Sequence, residues 1–198
     1  MNWITKFIKP KIASLFRKKT AESEQVLWTT CECKNLIYKE DLQKNFNCCP
    51  KCGAHHKLTC TERFETFFDK KQFNLILTLL PKDDPINFVD KKKYTDRLKL
   101  ARKITKQDDA VAISTGKVNN IPVTVGAQDF RFIGGSFGAA SGEAFIHGVQ
   151  HAIDNKHPFI FFSCSGGQRM MESSIALMQM SRTVLAVNEL KKKIYPIS

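Results

Sequence analysis

Hydrophobic residues alternate with polar ones in two neighbouring stretches of this chain, at residues 110–118 and 121–127. The pair Asn119-Asn120 separates the two stretches and is typical of a tight turn. We therefore predict a hairpin or two adjacent strands in this region. A short aromatic run at residues 159–162, bounded by Pro158 and a turn of small residues, predicts a further buried strand.

Apolar residues at helical spacing predict four helices around these strands. They cover residues 61–69, about 90–107, about 139–155, and a long stretch that begins directly after the small-residue turn. Asp90 is the expected N-cap of the second helix. The face expected to be buried in that helix consists of Tyr94, Leu98, Ala101 and Ile104. The corresponding apolar positions after the turn are Met171, Ile175, Met178 and Leu185. Helices that alternate with strands indicate an α/β fold.

The length and charge of the chain restrict its class. Its 198 residues suffice for one ordinary domain, or for a small module and part of a larger domain. No apolar run approaches the roughly 18 residues that span a bilayer. Residues 1–25 form a basic arm without the pattern of a signal peptide, so we expect a cytoplasmic protein. The net charge of +12 indicates an anionic partner, such as nucleic acid, an acidic protein or a phosphorylated cofactor.

A cysteine-rich segment at residues 26–60 predicts a zinc ribbon. The run Cys49-Pro50-Lys51-Cys52 has the spacing of a zinc knuckle, and 15 residues separate Cys33 from Cys49, enough for a hairpin. We expect one structural zinc ion on Cys31, Cys33, Cys49 and Cys52. The first knuckle, Cys31-Glu32-Cys33, is irregular, so other ligands remain possible, as does a metal-free hairpin. The alternative ligands are Cys48, His55, His56 and Cys60.

The turn Ser163-Cys164-Ser165-Gly166-Gly167 joins the last predicted strand to the last predicted helix. Such a turn leaves backbone N–H groups unpaired, and these groups suit an anion or a developing oxyanion. One interpretation is therefore an oxyanion-binding turn for a thioester. Another is a nucleophile elbow at Ser165, although its match to G-x-S-x-G is partial because Ser163 replaces the first glycine. The third is a closely packed corner without a chemical role.

A second glycine-rich loop lies at residues 130–138, with the sequence FRFIGGSFG. It contains neither G-x-G-x-x-G nor a Gly-Lys-Ser/Thr run. The sequence therefore argues against a nucleotide hydrolase.

Several motifs occur together and in a fixed order along the chain. They are Trp28, CPKC at residues 49–52, DKKKYTDRL at 90–98, Asp109-Ala110, FIGGSFG at 132–138, SGG at 165–167, Arg169-Met170, Glu172 and LMQM at 177–180. In this combination the chain resembles the beta subunits of bacterial acetyl-CoA carboxylase carboxyltransferase. The resemblance runs from Trp28 to the last residue.

This resemblance implies a crotonase-type (ClpP/crotonase-like) α/β spiral fold over residues 61–198, preceded by the zinc ribbon. It implies transfer of a carboxyl group from carboxybiotin to acetyl-CoA, which gives malonyl-CoA for fatty acid synthesis. The biotin is supplied on a carrier protein and, once freed of its carboxyl group, is the expected proton acceptor. The implied partners are the alpha subunit, in an α2β2 complex, the biotin carboxyl carrier protein and biotin carboxylase.

The resemblance also assigns roles to the residues of the two glycine loops. The backbone amides of Gly166 and Gly167 are expected to stabilise the enolate oxygen that forms from the thioester. Substrate-binding roles are expected for residues of both loops and the position that follows. These residues are Gly134, Gly135, Ser136, Gly138, Ser165 and Arg169.

Three features depart from the family pattern. The first zinc knuckle is one residue short, and Gln168 replaces a small residue after the glycine pair, where we expect it to crowd the helix start. The family also continues past Ser198 with a strand and a second glycine turn, so we expect an incomplete fold and compromised activity. Two alternatives from other classes are a zinc-ribbon protein that binds nucleic acid and an acyl hydrolase that uses Ser165 or Cys164.

Overall fold

A computed structural model of the protein describes residues 27–193. The chain divides into two compact units, one that ends at His56 and one that begins at Lys57. The predicted basic arm at residues 1–25 lies outside the described residues. Among residues 27–193, no helix is both long enough and apolar enough to cross a membrane.

The first unit is a small hairpin followed by a short helix. Strands β1 (Trp28–Thr30) and β2 (Leu36–Tyr38) pair antiparallel, and helix α1 spans Lys39–Lys44. Within residues 27–56, its apolar core consists of four buried residues, which are Cys31, Ile37, Leu42 and Cys49. Two of these four are cysteines, so apolar burial alone gives this unit little stability.

The second unit is a four-stranded sheet with helices. Its elements are α2 (Cys60–Phe67), β3 (Phe73–Ile76), α3 (Tyr94–Thr105), β4 (Val111–Val118), β5 (Ile121–Gln128), α4 (Ala139–Asn155), β6 (Phe159–Phe162) and α5 (Ser174–Lys193). The strand order is β3-β4-β5-β6. Strands β3, β4 and β5 pair antiparallel, whereas β6 lies parallel to β5 after the crossover helix α4. The predicted α/β class is confirmed.

The predicted hairpin is present as β4 and β5, joined at Asn119 and Asn120. Both residues have positive φ values, 50° and 65°, which asparagine tolerates and a tight hairpin turn requires. The Asp69 carboxylate accepts hydrogen bonds from both turn amides, at 3.0 and 2.9 Å. The pattern of alternation and the turn residues therefore agree with the structure at this point.

Helix α2 shows why a helix begins where it does. The Thr59 side chain accepts a hydrogen bond from the Glu62 amide at 3.1 Å, and the Glu62 carboxylate accepts one from the Thr59 amide at 2.8 Å. This reciprocal capping box fixes the helix start at Cys60. The helix then buries Phe64 against Phe73 of β3, with ring centroids 5.4 Å apart.

Two expectations for the basic helix α3 are wrong. The helix begins at Tyr94 rather than at Asp90, and its N-cap Lys93 makes no side-chain capping bond. Asp90 instead accepts hydrogen bonds from the Lys92 amide and the Arg97 guanidinium. Ile104 is 55% exposed, and Thr105 is buried in its place. The polar Thr105 can be buried because its hydroxyl donates to the Ala101 carbonyl.

The last helix also differs from its prediction. It begins at Ser174, not directly after the glycine turn, because a 3-10 turn at Met170–Glu172 and Ser173 with φ 51° come first. Only Ala176 and Gln179 of this helix are buried. Met178 and Leu185, expected in the core, are 62% and 65% exposed. Strand β6 is half-buried along its whole length rather than fully buried.

Candidate functional site

The two glycine-rich loops lie side by side in the second unit. The Phe137 amide donates to the Gly167 carbonyl and the Arg169 amide donates to the Phe137 carbonyl, both at 2.9 Å. The Gly166 amide donates to the Gly134 carbonyl, also at 2.9 Å. Main-chain hydrogen bonds thus join residues 134–137 to residues 166–169 as a short parallel pair. The structure brings together the two loops that the sequence marked separately.

Three glycines in these loops, Gly134, Gly135 and Gly167, have positive φ values that favour glycine. Gly135 has φ +64°, and a Cβ atom there would collide with the Cys164 carbonyl oxygen. Gly167 has φ +128°, which L side chains rarely adopt, although nothing lies within 4 Å of a Cβ position there. The close approach of the loops therefore depends on Gly135, whereas the path of the second loop depends on Gly167.

The two predicted oxyanion donors already have hydrogen-bond partners. The Gly166 amide is bonded to the Gly134 carbonyl, and the Gly167 amide is bonded to the Ser165 hydroxyl oxygen at 3.0 Å. A main-chain carbonyl is fixed by the loop, whereas a serine side chain can rotate about χ1. Because helix α5 begins at Ser174, its N-terminus does not directly follow the glycine pair, contrary to the prediction. Since its partner is a side chain that can rotate away, the Gly167 amide is the more available donor of the two.

An open groove with a volume of about 540 Å³ lies beside the second loop. Its apolar wall comes from the first loop, from β6 and from helices α4 and α5, and Gln128 at the end of β5 also lines it. Ser165, Gly167 and Gln168 form one end of it, and Lys191 of α5 contributes a cationic group. The apolar lining residues are Phe137, Phe145, Phe161, Met180, Val184 and Val187.

Arg169, predicted to bind substrate, is instead enclosed within the protein. It is only 1% exposed. Its guanidinium makes a two-pronged pair with Asp109, at 2.6 and 2.9 Å, and donates to the Tyr94 hydroxyl at 3.2 Å. The same group donates to the hydroxyl and carbonyl oxygens of Ser136, at 3.2 and 2.6 Å. Every guanidinium nitrogen is therefore occupied, and Arg169 has no free donor to offer a substrate.

The buried network around Arg169 extends to Glu172. Its carboxylate accepts hydrogen bonds from the Tyr94 hydroxyl and from the Ala139 amide, both at 2.6 Å. The second bond places a negative charge at the N-terminus of helix α4, beside the buried Gly138. Burial raises the pKa of Tyr94, and the Glu172 carboxylate adds to the rise. Burial opposes the charge on Arg169, but Asp109 outweighs it and the pKa of Arg169 is raised.

Gln128 is a site residue that the sequence reasoning missed. It ends strand β5 and is 5% exposed. Its side-chain nitrogen donates to the Gly135 carbonyl at 2.9 Å, and its oxygen accepts from the Cys164 amide at 3.2 Å. One side chain therefore contacts both glycine loops. The available signal was a polar residue at the end of a strand, directly before the loop.

Gln168 does not crowd a helix start as expected. With its amide nitrogen assigned toward two carbonyl groups, it donates to Phe137 at 3.0 Å and to Ala176 at 2.8 Å. It therefore connects the first loop with the beginning of α5.

Within residues 27–193, neither candidate nucleophile is hydrogen-bonded to a histidine. The Ser165 hydroxyl bonds to its own loop, donating to the Gly167 carbonyl and accepting from the Gly167 amide. Among the hydrogen bonds of the described part, neither it nor the Cys164 thiol has a histidine partner. A nucleophile needs a base within hydrogen-bond reach. The arrangement therefore does not favour an acyl hydrolase.

In the first unit, four cysteines form a cluster suited to a metal ion. The Sγ atoms of Cys31, Cys33, Cys49 and Cys52 all lie within 4.8 Å of one another. The Cys31–Cys52 and Cys33–Cys49 sulfur atoms are 3.6 and 3.8 Å apart. Tetrahedral zinc with Zn–S bonds of about 2.3 Å requires sulfur atoms about 3.8 Å apart. The thiol positions therefore fit a four-thiolate zinc site.

The short first knuckle is accommodated by a tight turn. The Lys34 amide donates to the Cys31 carbonyl at 2.9 Å, and Lys34 has φ 63°. The Asn35 side-chain amide donates to Cys33 Sγ at 3.2 Å and lowers the pKa of that thiol to about 6. A thiolate at this position suits metal binding.

The alternative ligands lie outside this cluster. Cys48 Sγ is 3.0 Å from His55 Nδ1, and neither belongs to the four-cysteine group. His56 also lies outside the group. Cys60 belongs to the second unit, where its thiol donates to the Ala127 carbonyl and burial raises its pKa to about 12. None of the four alternative ligands therefore belongs to the group of sulfur atoms that could hold the ion.

Comparison with protein-family models gives two matches. The carboxyl transferase domain matches residues 77–198, and the acetyl-CoA carboxylase zinc finger domain matches residues 28–52. The chain therefore belongs to the carboxyl transferase family, and its first unit is a zinc ribbon.

Similar curated proteins indicate the particular family within this class. The chain is 46% identical to the acetyl-coenzyme A carboxylase carboxyl transferase subunit beta of Pelagibacter ubique, over 99% of this chain and 64% of the relative. It is 40% identical to the subunit of the same name from Jannaschia sp., over 99% of this chain and 61% of the relative. The chain is a member of this beta-subunit family, as its resemblance implied. It spans less than two thirds of the length of these two relatives.

Among solved structures, the chain is similar to transcarboxylase 12S, determined with methylmalonyl-coenzyme A and methylmalonic acid bound. The TM-score is 0.53 at 21% identity, over 77% of this chain and 25% of that one. At this identity the likeness shows the fold. The predicted crotonase-type α/β fold preceded by a zinc ribbon is confirmed.

Proposed function

We propose that this chain provides the acyl-CoA side of a biotin-dependent carboxyltransferase. The reaction transfers a carboxyl group from carboxybiotin to acetyl-CoA and forms malonyl-CoA. The observation that carries the proposal is the pair of hydrogen-bonded glycine loops at the end of a largely apolar groove. Family membership supports the same reaction. It favours this proposal over a nucleic-acid-binding ribbon or an acyl hydrolase.

The chemistry requires stabilisation of negative charge next to a thioester. Removing a proton from the methyl group of acetyl-CoA moves charge to the thioester oxygen, which becomes an enolate oxygen. The Gly167 amide donates to this oxygen after the Ser165 hydroxyl rotates away. The Gly166 amide, bonded to the Gly134 carbonyl, holds the loop that presents Gly167. Carboxybiotin, delivered on a carrier protein, is the substrate that supplies the carboxyl group, and the biotin freed of that group accepts the methyl proton.

The groove provides the binding surface for the rest of acetyl-CoA. Its aromatic and aliphatic walls suit the acyl and pantetheine portions, and Lys191 suits a phosphate. Gly134, Ser136, Gly138 and Ser165 act here through the shape of the loops, and Arg169 acts only indirectly. The surplus of basic residues, with a net charge of +12, supports binding of an anionic cofactor and an acidic carrier protein.

The wider assembly is also a proposal. We infer that the alpha subunit completes the site in an α2β2 complex and that the biotin carboxyl carrier protein and biotin carboxylase act with it. A zinc ion on Cys31, Cys33, Cys49 and Cys52 is structural, because four protein ligands leave no open position for catalysis.

The proposal is tested by binding and by turnover. Calorimetric titration of the full chain with acetyl-CoA should show saturable binding, weaker for free coenzyme A because the acetyl group is missing. With the alpha subunit and carboxybiotin added, malonyl-CoA formation should depend on this chain. Gly167→Val should abolish transfer, because a branched residue is strained at φ +128°. Absence of acyl-CoA binding, or thioester hydrolysis in place of carboxyl transfer, would refute the proposal.

A further inference from the structure

Gln128 and Arg169 each connect the two glycine loops, yet neither has a role in the chemistry proposed above. We propose that they are positioning residues, which hold the loops at the spacing that carboxyl transfer requires. This inference rests on the proposed function, because the loop amides are the groups whose placement it explains.

Gln128 connects the loops from the sheet side. It donates to the Gly135 carbonyl of one loop and accepts from the Cys164 amide of the other, at 2.9 and 3.2 Å. A primary amide is suited to this position because it offers a donor and an acceptor on one planar group. Glutamate lacks the donor, and methionine, of similar length, lacks both groups.

Arg169 connects the loops at their far end. Its Nε and Nη2 atoms donate to the hydroxyl and carbonyl oxygens of Ser136, while its own amide donates to Phe137. Asp109 and Tyr94 fix the guanidinium from the opposite side. The planar fork matches these acceptors in a way that a lysine ammonium cannot. Both connections therefore depend on the particular side chain.

The spacing of the loops leaves little tolerance. A Cβ on Gly135 would already collide with the Cys164 carbonyl, and the Gly166 amide meets the Gly134 carbonyl at 2.9 Å. Loss of either connection lets the loops separate. A misplacement of about 1 Å at a reacting centre costs on the order of 100-fold in rate. The cost should fall mainly on the chemical step, since the walls that β6, α4 and α5 contribute to the groove stay in place.

The first test measures loop order without any assay of activity. In the full chain, we expect Gln128→Met and Arg169→Lys to accelerate amide hydrogen exchange at Cys164 and Gly166 at least about tenfold by NMR. Exchange in the β4–β5 hairpin should not change. The matched control for the first variant is Gln179→Met, another buried glutamine whose amide bonds elsewhere, to Ile175 and Arg182. The control for the second is Arg102→Lys, which alters a two-pronged pair with Asp83.

The second test separates positioning from binding. In the complex with the alpha subunit, both variants should lower kcat about 10- to 100-fold and change the KM for acetyl-CoA less than about threefold. Both controls should keep the original values. Unchanged loop exchange in folded variants, or a raised KM with unchanged kcat, would overturn the inference. If Arg169→Lys fails to fold, the result with Gln128→Met tests the inference, because that variant leaves the buried Arg169–Asp109 ion pair intact. If the unsubstituted chain does not bind acyl-CoA, the proposed function is refuted. The hydrogen-exchange rates of the loop amides would still test whether Gln128 and Arg169 position the loops.

Discussion

Gly135 and Gly166 lie in facing loops, but only Gly135 has a backbone conformation that L-residues rarely adopt. Its φ of +64° and its contact with the Cys164 carbonyl leave no room for a side chain. At Gly166 the nearest atom to an added Cβ is the Gly134 carbonyl oxygen at 3.4 Å, an ordinary contact. The two positions therefore form a matched pair for a substitution experiment.

We predict that Gly135→Ala destabilises the second unit by about 2 kcal/mol or more, through backbone strain and the clash. Gly166→Ala should cost less than about 0.5 kcal/mol, because neither effect applies. Urea unfolding followed by circular dichroism measures both. Equal losses in the two variants would contradict the geometry of the loops.

Ser165 supports a second prediction for single residues. Within the described part of the chain its hydroxyl bonds only inside its own loop and occupies the Gly167 amide, so we expect that it does not act as a nucleophile. Ser165→Ala should therefore leave most carboxyl transfer in the assembled enzyme intact. The measurement is malonyl-CoA formation, with mass spectrometry of the chain after exposure to acetyl-CoA. Complete loss of activity together with an acyl-enzyme in the original chain would favour the hydrolase instead.

The sequence predicts which residues belong to the candidate site better than it predicts whether their side chains are buried or exposed. The sequence marks Arg169 as part of a motif beside a glycine pair. Its burial depends on Asp109 and Tyr94, which are 60 and 75 positions away along the chain. No local pattern reports such a convergence, so the motif by itself predicts a substrate contact where the structure has a buried ion pair. Gln128 was missed for the same reason.

Among the elements, those with strong local signals were predicted well. The β4–β5 hairpin follows from alternation and from Asn119-Asn120, and helix α4 spans Ala139–Asn155 as expected. The hydrophobic spacing of helix α5 continues back to Met171, so the sequence predicts an earlier helix start than the structure has. Ser173, with φ 51°, interrupts the helix. Hydrophobic spacing shows which residues share a face, but not what covers that face.

The contact between Asp69 and the hairpin turn leads to a pH-dependent prediction. Hydrogen bonds from the Asn120 and Asn119 amides lower the pKa of Asp69. A carboxyl group with a lowered folded-state pKa stabilises the protein above its unfolded pKa, about 3.9, and this contribution is lost as the pH falls through the folded value. Asp69→Ala should therefore be less stable than the original chain at pH 7, and the difference should shrink below about pH 4. Urea unfolding of both chains across this range measures it. A difference that is constant with pH would show that the charge does not act through the turn.

For the whole molecule, the two units differ in what stabilises them. The second unit has several apolar clusters, including one with Phe64, Phe68 and Val125. In the first, residues 27–56 contain one core of four residues, two of which, Cys31 and Cys49, are candidate zinc ligands. The sequence and its family resemblance predicted both the ribbon and the α/β fold, since cysteine spacing and glycine motifs are local features. The four expected ligands are the four cysteines that the structure groups together. The irregular first knuckle left other ligands open, because the grouping depends on how the two knuckles meet.

We predict that the first unit depends on zinc and the second does not. Protein purified without added metal should contain about one zinc ion per chain. A strong chelator should unfold residues 27–56, because metal binding and folding are coupled in such small units. NMR amide signals of the second unit should persist. Cys49→Ser should have the same effect as the chelator, whereas Cys48→Ser, at a neighbouring thiol outside the cluster, should retain the metal. Absence of zinc, or equal metal loss in both serine variants, would show that the four-cysteine cluster does not hold the ion.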